Sequence, residues 1–231
     1  MLDVALDYHR RGWSVILAHG LIGGKLSCGK SACKSPGKHP RVSWKKYTET
    51  QADEAEIRKW WKDWPDASVG IITGRISGIT VVDIDGDEGK QALKAAGIVA
   101  PTTVTVLPGG GGWHYYYRYP ESGLSNATKA RILEGVDIRA DGGFVIAPPS
   151  THESGNSYQW AQNLGPDDLK MADLPPEILE LLTPSVKKAN NPQMRSALQG
   201  VSERQRDETL YRYACGLRGK GISREEVLAP G

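Results

Sequence analysis

The stretch "GITVVDIDGDEGK", residues 78–90, limits most sharply what this chain can fold into. From Thr80 to Asp85 it is β-branched and apolar except for two aspartates, a residue type that strand interiors disfavour. Side chains alternate along a strand, so Asp83 and Asp85 share one face while Val82 and Ile84 take the other. Two carboxylates held side by side repel one another unless a positive group sits between them. The face that carries them is expected to hold cations.

Two further stretches extend the pattern. "GVDIRADGG", residues 135–143, puts Asp137 and Arg139 on one strand face and Val136 and Ile138 on the other. "GGGGWHYYY", residues 109–117, brings His114 onto a strand directly after a glycine loop. Three carboxylates on adjacent strands can jointly hold two divalent cations, about 3.5–4 Å apart in two-metal sites. Oxygen-only ligands select hard ions, Mg²⁺ or Mn²⁺. Such ions favour a developing 3′-alkoxide and neutralise a leaving pyrophosphate. His114 then supplies a donor, and Arg139 a fixed cation, for triphosphate oxygens. The glycines let backbone approach phosphate closely. Singly, each piece has a plain explanation: a strand-end DxD, a packed histidine, a flexible turn, an Asp–Arg pair. In combination and in this order they point to phosphate chemistry.

Along the chain, residues 2–11 read as a helix and Trp13–Ala18 as a strand. Residues 20–43 are loop-like and too polar to pack a core. Thr50, with Asp53 three places on, reads as the start of a helix running to Trp64 and stopped by Pro65. "SVGIITG" and "GITVVDID" are strands, and "DEGKQALKAAGI" is a helix closed by Gly97. "TTVTVLPGGGGWHYYYRY" reads as two strands joined by the glycine loop, and "GVDIRADGGFVIAPPS" as a hairpin around Asp141-Gly142-Gly143. "SYQWA" is a short strand and "LPPEILELL" a helix. Strands joined by hairpins and mixed with helices predict an α+β architecture. Trp60 and Trp64, four apart, are expected in the core, as are Trp113 and Tyr115; Trp44 is expected to pack there too, with stacking on a nucleic-acid base as the alternative. Tyr116 shares the histidine's face and is expected near the nucleotide.

A length of 231 residues suits one generous domain, or one with a small companion, and is ample for a core. The 39% hydrophobic and 24% charged contents are those of a globular protein, and no apolar run reaches the roughly 18 residues of a membrane span. The N-terminus lacks the basic-then-apolar order of a signal peptide, so a cytoplasmic protein is expected. Three cysteines suit a reducing compartment better than a disulfide framework. Net charge is +2, but no acid occurs between Asp7 and Glu49, where average composition puts about five. That segment is either a phosphate-facing surface or a solvated basic loop. Within it, "SCGKSACKSPGKHPR", residues 27–41, sets Cys28, Cys33 and His39 in a Gly/Pro/Lys loop. The ligand types suit tetrahedral Zn²⁺. The local fourth ligand is missing, with His19, a water or a distant side chain as alternatives. Two free thiols in a basic loop are the competing reading. Lys34, Lys38, Arg41, Lys45 and Lys46 would meet template or primer phosphates.

The order DxD, glycine loop with strand-borne histidine, then Asp137 before "GGFVIAPPS" resembles the archaeo-eukaryotic primase superfamily. More narrowly it resembles the bifunctional primase-polymerase domain of plasmid, phage and prophage replication proteins, over about residues 2–183. The resemblance implies a catalytic core with an RNA-recognition-like sheet and flanking helices. It implies a metal-dependent nucleotidyltransferase that makes and extends primers on single-stranded DNA from NTPs or dNTPs. Asp83, Asp85 and Asp137 match its three metal-binding acids, and His114 its phosphate-contacting histidine. Ser150 of the "APPS" turn joins the expected nucleotide-binding group with Arg139. Where relatives usually carry Ser two places before the histidine this chain has Gly112, so backbone amides at Gly111 and Gly112 are expected in its place. Residues 184–200 read as a linker. Residues 201–231 read as the truncated start of the helical domain that often follows and precedes a helicase. Two competing readings stay open: a gap-filling repair polymerase that cannot start chains, and a non-catalytic single-strand or origin-binding module.

Overall fold

The computed structural model describes residues 1–35, 37–127 and 133–182. In chain order the helices are α1 (Leu2–Arg10), α2 (Glu54–Asp63), α3 (Gly86–Ala95) and α4 (Pro176–Leu182). The strands are β1 (Val15–Ala18), β2 (Leu21–Ile22), β3 (Lys25–Leu26), β4 (Ser68–Ile72), β5 (Ile79–Ile84) and β6 (Val104–Leu107). They continue with β7 (Trp113–Arg118), β8 (Val136–Arg139), β9 (Phe144–Ile146), β10 (Gln159–Trp160) and β11 (Ala172–Asp173). The architecture is α+β, as expected. The linker expected at 184–200 and the helical domain expected at 201–231 lie outside the described residues.

The larger sheet runs β10-β6-β7-β5-β8, with β11 pairing parallel to the end of β7. The smaller runs β1-β4-β9, and β2-β3 is a two-stranded ribbon inside the stretch expected to be loop. β5 is the interior strand on which the sheet is organised, paired antiparallel with β7 on one side and β8 on the other. Its alternation sorts the two cores. Val82 and Ile84 face a cluster with Leu93 and Ile98 of the α3 region, Val136, Ile138 and Ile178 of α4. Ile79 and Val81, on the opposite face, join Tyr116, Val104 and Val106 in a cluster with α1, α2 and the smaller sheet. The smaller sheet is therefore buried on both sides, and every residue of β1 and β4 is buried. Asp83 shares its face with Val81, at the edge where this packing opens.

Three local expectations are corrected. Helix α2 begins at Glu54 because Asp53 is the N-cap: its Oδ1 accepts from Glu56 N at 2.7 Å, so Thr50 lies before the helix. Residues 135–146 do not form a hairpin: β8 pairs with β5 and β9 with β4, so the Asp141-Gly142-Gly143 turn carries the chain from one sheet to the other. Trp64 is 39% exposed at the C-cap of α2, under the Arg41 guanidinium, and Trp61 takes the buried position beside Trp60.

Candidate active site

Strand register assembles the site. Asp83 pairs with His114 on β7 and with Asp137 on β8, so the three stand in one cross-strand row, His114–Asp83–Asp137. The next row is Tyr116–Val81–Arg139. Directly opposed side chains on one face are within reach of one another. His114 Nε2 lies 3.3 Å from Asp83 Oδ1, and Arg139 Nη2 lies 3.3 Å from Asp83 Oδ2 and 3.0 Å from Asp137 Oδ2. One guanidinium thus sits between two part-buried carboxylates. Asp85 comes from the adjoining turn, where β5 ends and α3 begins; it occupies the N-cap position but makes no side-chain cap bond.

The acids are pushed apart electrostatically. Burial raises the Asp83 pKa, but the hydrogen bond and charge of His114 and the charge of Arg139 outweigh it and hold the group below its ordinary value. Asp85 moves up, through burial and then the charges of Asp83 and Asp137. Asp85 beside Asp83 and Asp137 makes a set of carboxylates whose chemistry fits hard divalent cations.

The row opens onto a cleft of about 360 Å³. Asp83, His114, Arg139 and Tyr158 form part of its wall, Trp44 and Phe144 another part, and Lys38 and His39 a third. Trp44 and Phe144 meet edge to face at 5.1 Å between centroids. Trp44, expected in the core, is only half-buried and combines packing with a cleft position. Tyr158 packs between His114 and His152, at 6.0 and 5.8 Å.

The glycine loop between β6 and β7 is clamped from residues 152–156. Gly109 O accepts from Ser154 Oγ at 2.8 Å and Asn156 Nδ2 at 3.1 Å. A Cβ on Gly110 would stand 2.7 Å from His152 Cε1. Gly112 has φ +84°, and a Cβ there would run into the Ile84 carbonyl oxygen, so this backbone has no room for a serine. Gly111 N–H is spent on Pro108 O at 3.0 Å, which leaves Gly112 as the backbone donor of the predicted pair.

Other predicted residues stand elsewhere. Ser150 is fully buried, and its hydroxyl accepts from Val69 N at 3.0 Å and donates to Val69 O at 3.3 Å; it ties the turn to β4 and does not face the cleft. Tyr116 keeps the histidine's face but is fully buried under Trp13 and Trp160, outside the cleft lining. Trp113 and Tyr115 are half-buried against the second core, with the Lys90 ammonium over the Trp113 ring.

In the basic loop, His19, Cys28 and His39 place one ligand atom each within 4.8 Å of the others. His39 Nε2 lies 2.8 Å from Cys28 Sγ, and the His19 and His39 rings are 4.3 Å apart. The His39 hydrogen bond is the chief reason that the Cys28 thiol falls to about 7; Cys33 also bonds to it but is outside the tight group. Burial, then the charges of Arg41 and His39, push His19 down to about 4. A thiol that ionises near neutrality beside a neutral imidazole is a donor set that fits zinc. Lys46 is paired with Glu56 at 3.2 Å, whereas Lys34 and Lys45 are exposed and have no ion pair among the described residues.

Antiparallel strands β5, β7 and β8 thus present Asp83, His114 and Arg139 to one cleft. Residues 5–177, well over half of the 231, match the family described as bifunctional DNA primase/polymerase, N-terminal (Prim-Pol), and the chain belongs to it. That membership carries primase/polymerase-type nucleotidyl transfer in replication, with DNA and nucleotides as substrates and divalent metals in general use. Comparison with curated proteins finds no match. No described helix is long and apolar enough to cross a membrane.

Proposed function

We propose that the chain is a DNA-dependent primase-polymerase that starts and extends primers on single-stranded DNA, in the replication of a plasmid, phage or prophage. The observation that carries the reading is the single row His114–Asp83–Asp137, with Arg139 bonded to both acids and Asp85 beside them. The order β6-β7-β5-β8, with α3 crossing from β5 to β6, supports the RNA-recognition-like core that the resemblance implied.

Asp83, Asp85 and Asp137 would hold two Mg²⁺ or Mn²⁺ ions. When bound, such ions stabilise an attacking 3′-oxygen and the charge on a leaving pyrophosphate. The reaction is in-line attack of a primer 3′-hydroxyl on the α-phosphate of the incoming nucleotide. His114 stands on the cleft wall with its Nε2 on Asp83, and it would turn that N–H from Asp83 to a phosphate oxygen once metal holds the acid. Arg139 holds the two acids in register before the substrate arrives and offers its remaining N–H groups to the triphosphate. Gly112 supplies a backbone donor. His19, Cys28 and His39, completed by Cys33, would hold a structural zinc that fixes the basic loop at the cleft's rim.

The test is primer synthesis on unprimed single-stranded DNA with labelled nucleotides and Mg²⁺ or Mn²⁺. Short products are expected from the wild type and none from Asp83→Ala or Asp137→Ala. Synthesis retained by either variant overturns the site. Extension of a primed template without initiation moves the reading to a gap-filling polymerase. Silence on both templates favours a binding module.

A further inference from the structure

Lys38 belongs to a basic loop whose lysines are expected on DNA, but the fold puts it on the wall of the same cleft as Asp83, His114 and Arg139. The backbone around it is fixed. Lys38 N donates to Ser35 O at 3.0 Å, His19 N to His39 O at 2.9 Å, and Arg41 N to Leu17 O at 3.0 Å. Pro40 bridges to Ala18 at the end of β1, Gly37 is buried, and His39 reaches Cys28. The Lys38 side chain itself is exposed and makes no ion pair among the described residues. An anchored backbone that carries this ammonium into the cleft of His114 and Arg139 is the arrangement of a residue kept for an anionic ligand.

We propose that Lys38 is a triphosphate-binding residue of the nucleotide site, carried there by the loop that His19, Cys28 and His39 tie together. The packing beside it locates the phosphates. A Cβ on Gly37, the residue before it, would stand 3.7 Å from Glu153 Cβ, and the neighbouring His152 lies over Gly110. Lys38 therefore stands on the cleft wall next to the segment that clamps the glycine loop expected to cradle the phosphate tail. With Arg139 it brackets that tail.

This inference rests on the nucleotidyltransferase reading, so the experiment separates the two. Binding of dATP with Mn²⁺ is measured by calorimetry, and binding of a single-stranded oligonucleotide by fluorescence anisotropy without nucleotide. The proteins are the wild type, Lys38→Ala, Lys38→Arg and Lys62→Ala, the last removing an equal charge from α2 outside the cleft lining. Lys38→Ala is expected to weaken dATP about 10- to 100-fold, the range for loss of a charge-assisted hydrogen bond. Oligonucleotide affinity should hold within about 2-fold, Lys38→Arg should recover part of the dATP loss, and Lys62→Ala should match the wild type on dATP. Unchanged dATP affinity in Lys38→Ala overturns the proposal, and so does an equal or larger loss on the oligonucleotide. A wild type that binds no dATP overturns the underlying reading as well, and that result is seen without any variant.

Discussion

Arg139 bridges the two strand-borne acids of the site. It bonds to Asp83 and Asp137 at once, and with His114 it holds Asp83 ionised despite burial. Arg139→Ala leaves two part-buried carboxylates facing each other, so a loss of about 1–3 kcal/mol is expected in metal-free buffer. The sign of the pH effect follows. A carboxylate with a depressed folded pKa stabilises the fold above its unfolded value, and that stabilisation is lost as pH falls through the folded one. Removing Arg139 lets the Asp83 pKa rise, so acid unfolding of Arg139→Ala, followed by circular dichroism, should begin at higher pH than in the wild type. Mn²⁺ should raise the variant's Tm more than the wild type's. A variant that unfolds at the same pH and shows no extra metal response would show that Arg139 is not the cation these acids depend on. At Gly112 the expectation reverses ordinary logic. Gly112→Ser adds a hydroxyl donor, yet it meets a positive φ that costs about 1–2 kcal/mol for a side-chain-bearing residue, plus contact with the Ile84 carbonyl. A lowered Tm and reduced nucleotide incorporation are expected; a gain in activity would mean that the loop adopts another backbone with nucleotide bound.

Among the elements, alternation along β5 was legible without a structure, because a period of two puts Asp83 opposite in sense to Val82 and Ile84 whatever the neighbours. Which residues stand across from Asp83 was not legible. That depends on the register of β7 and β8, which is set by long-range pairing. The turn at Asp141-Gly142-Gly143 shows the limit: its composition is that of a hairpin, but β4 lies open to β9 and β5 to β8, and the pairs with more apolar partners win. Tyr116 fails in the same way, since periodicity assigns a face but not what covers it. Ser150 belongs to this scale too. Its hydroxyl stitches the turn after β9 to Val69 of β4, so Ser150→Ala should cost about 1–3 kcal/mol by leaving buried backbone unpaired. Its kcat/KM for nucleotide incorporation at a temperature well below Tm should stay near that of the wild type. A raised KM with no loss of Tm would return Ser150 to the nucleotide site.

At the scale of the whole molecule, the acid-free segment from Asp7 to Glu49 does not fold into a uniform basic face. Lys38 enters the cleft, Arg41 lies over Trp64, and Lys46 is held by Glu56, while Lys34 and Lys45 are exposed without ion pairs among the described residues. A net charge of +2 says nothing of this partition, because it depends on where each lysine's nearest carboxylate ends up. Single-stranded DNA binding should therefore draw unequally on the five. Each cation that neutralises a phosphate contributes about 0.7 to the slope of log K against log salt on a single strand. Lys34→Ala and Lys45→Ala should each flatten that slope by about one such step. Lys46→Ala should change it less, because Glu56 already serves as its counterion and binding releases less from the solution. Affinities of an oligonucleotide measured from low to moderate salt give these slopes directly. Equal slopes for all three variants would mean that the Lys46–Glu56 pair opens on DNA, and the basic segment would then act as one undivided surface.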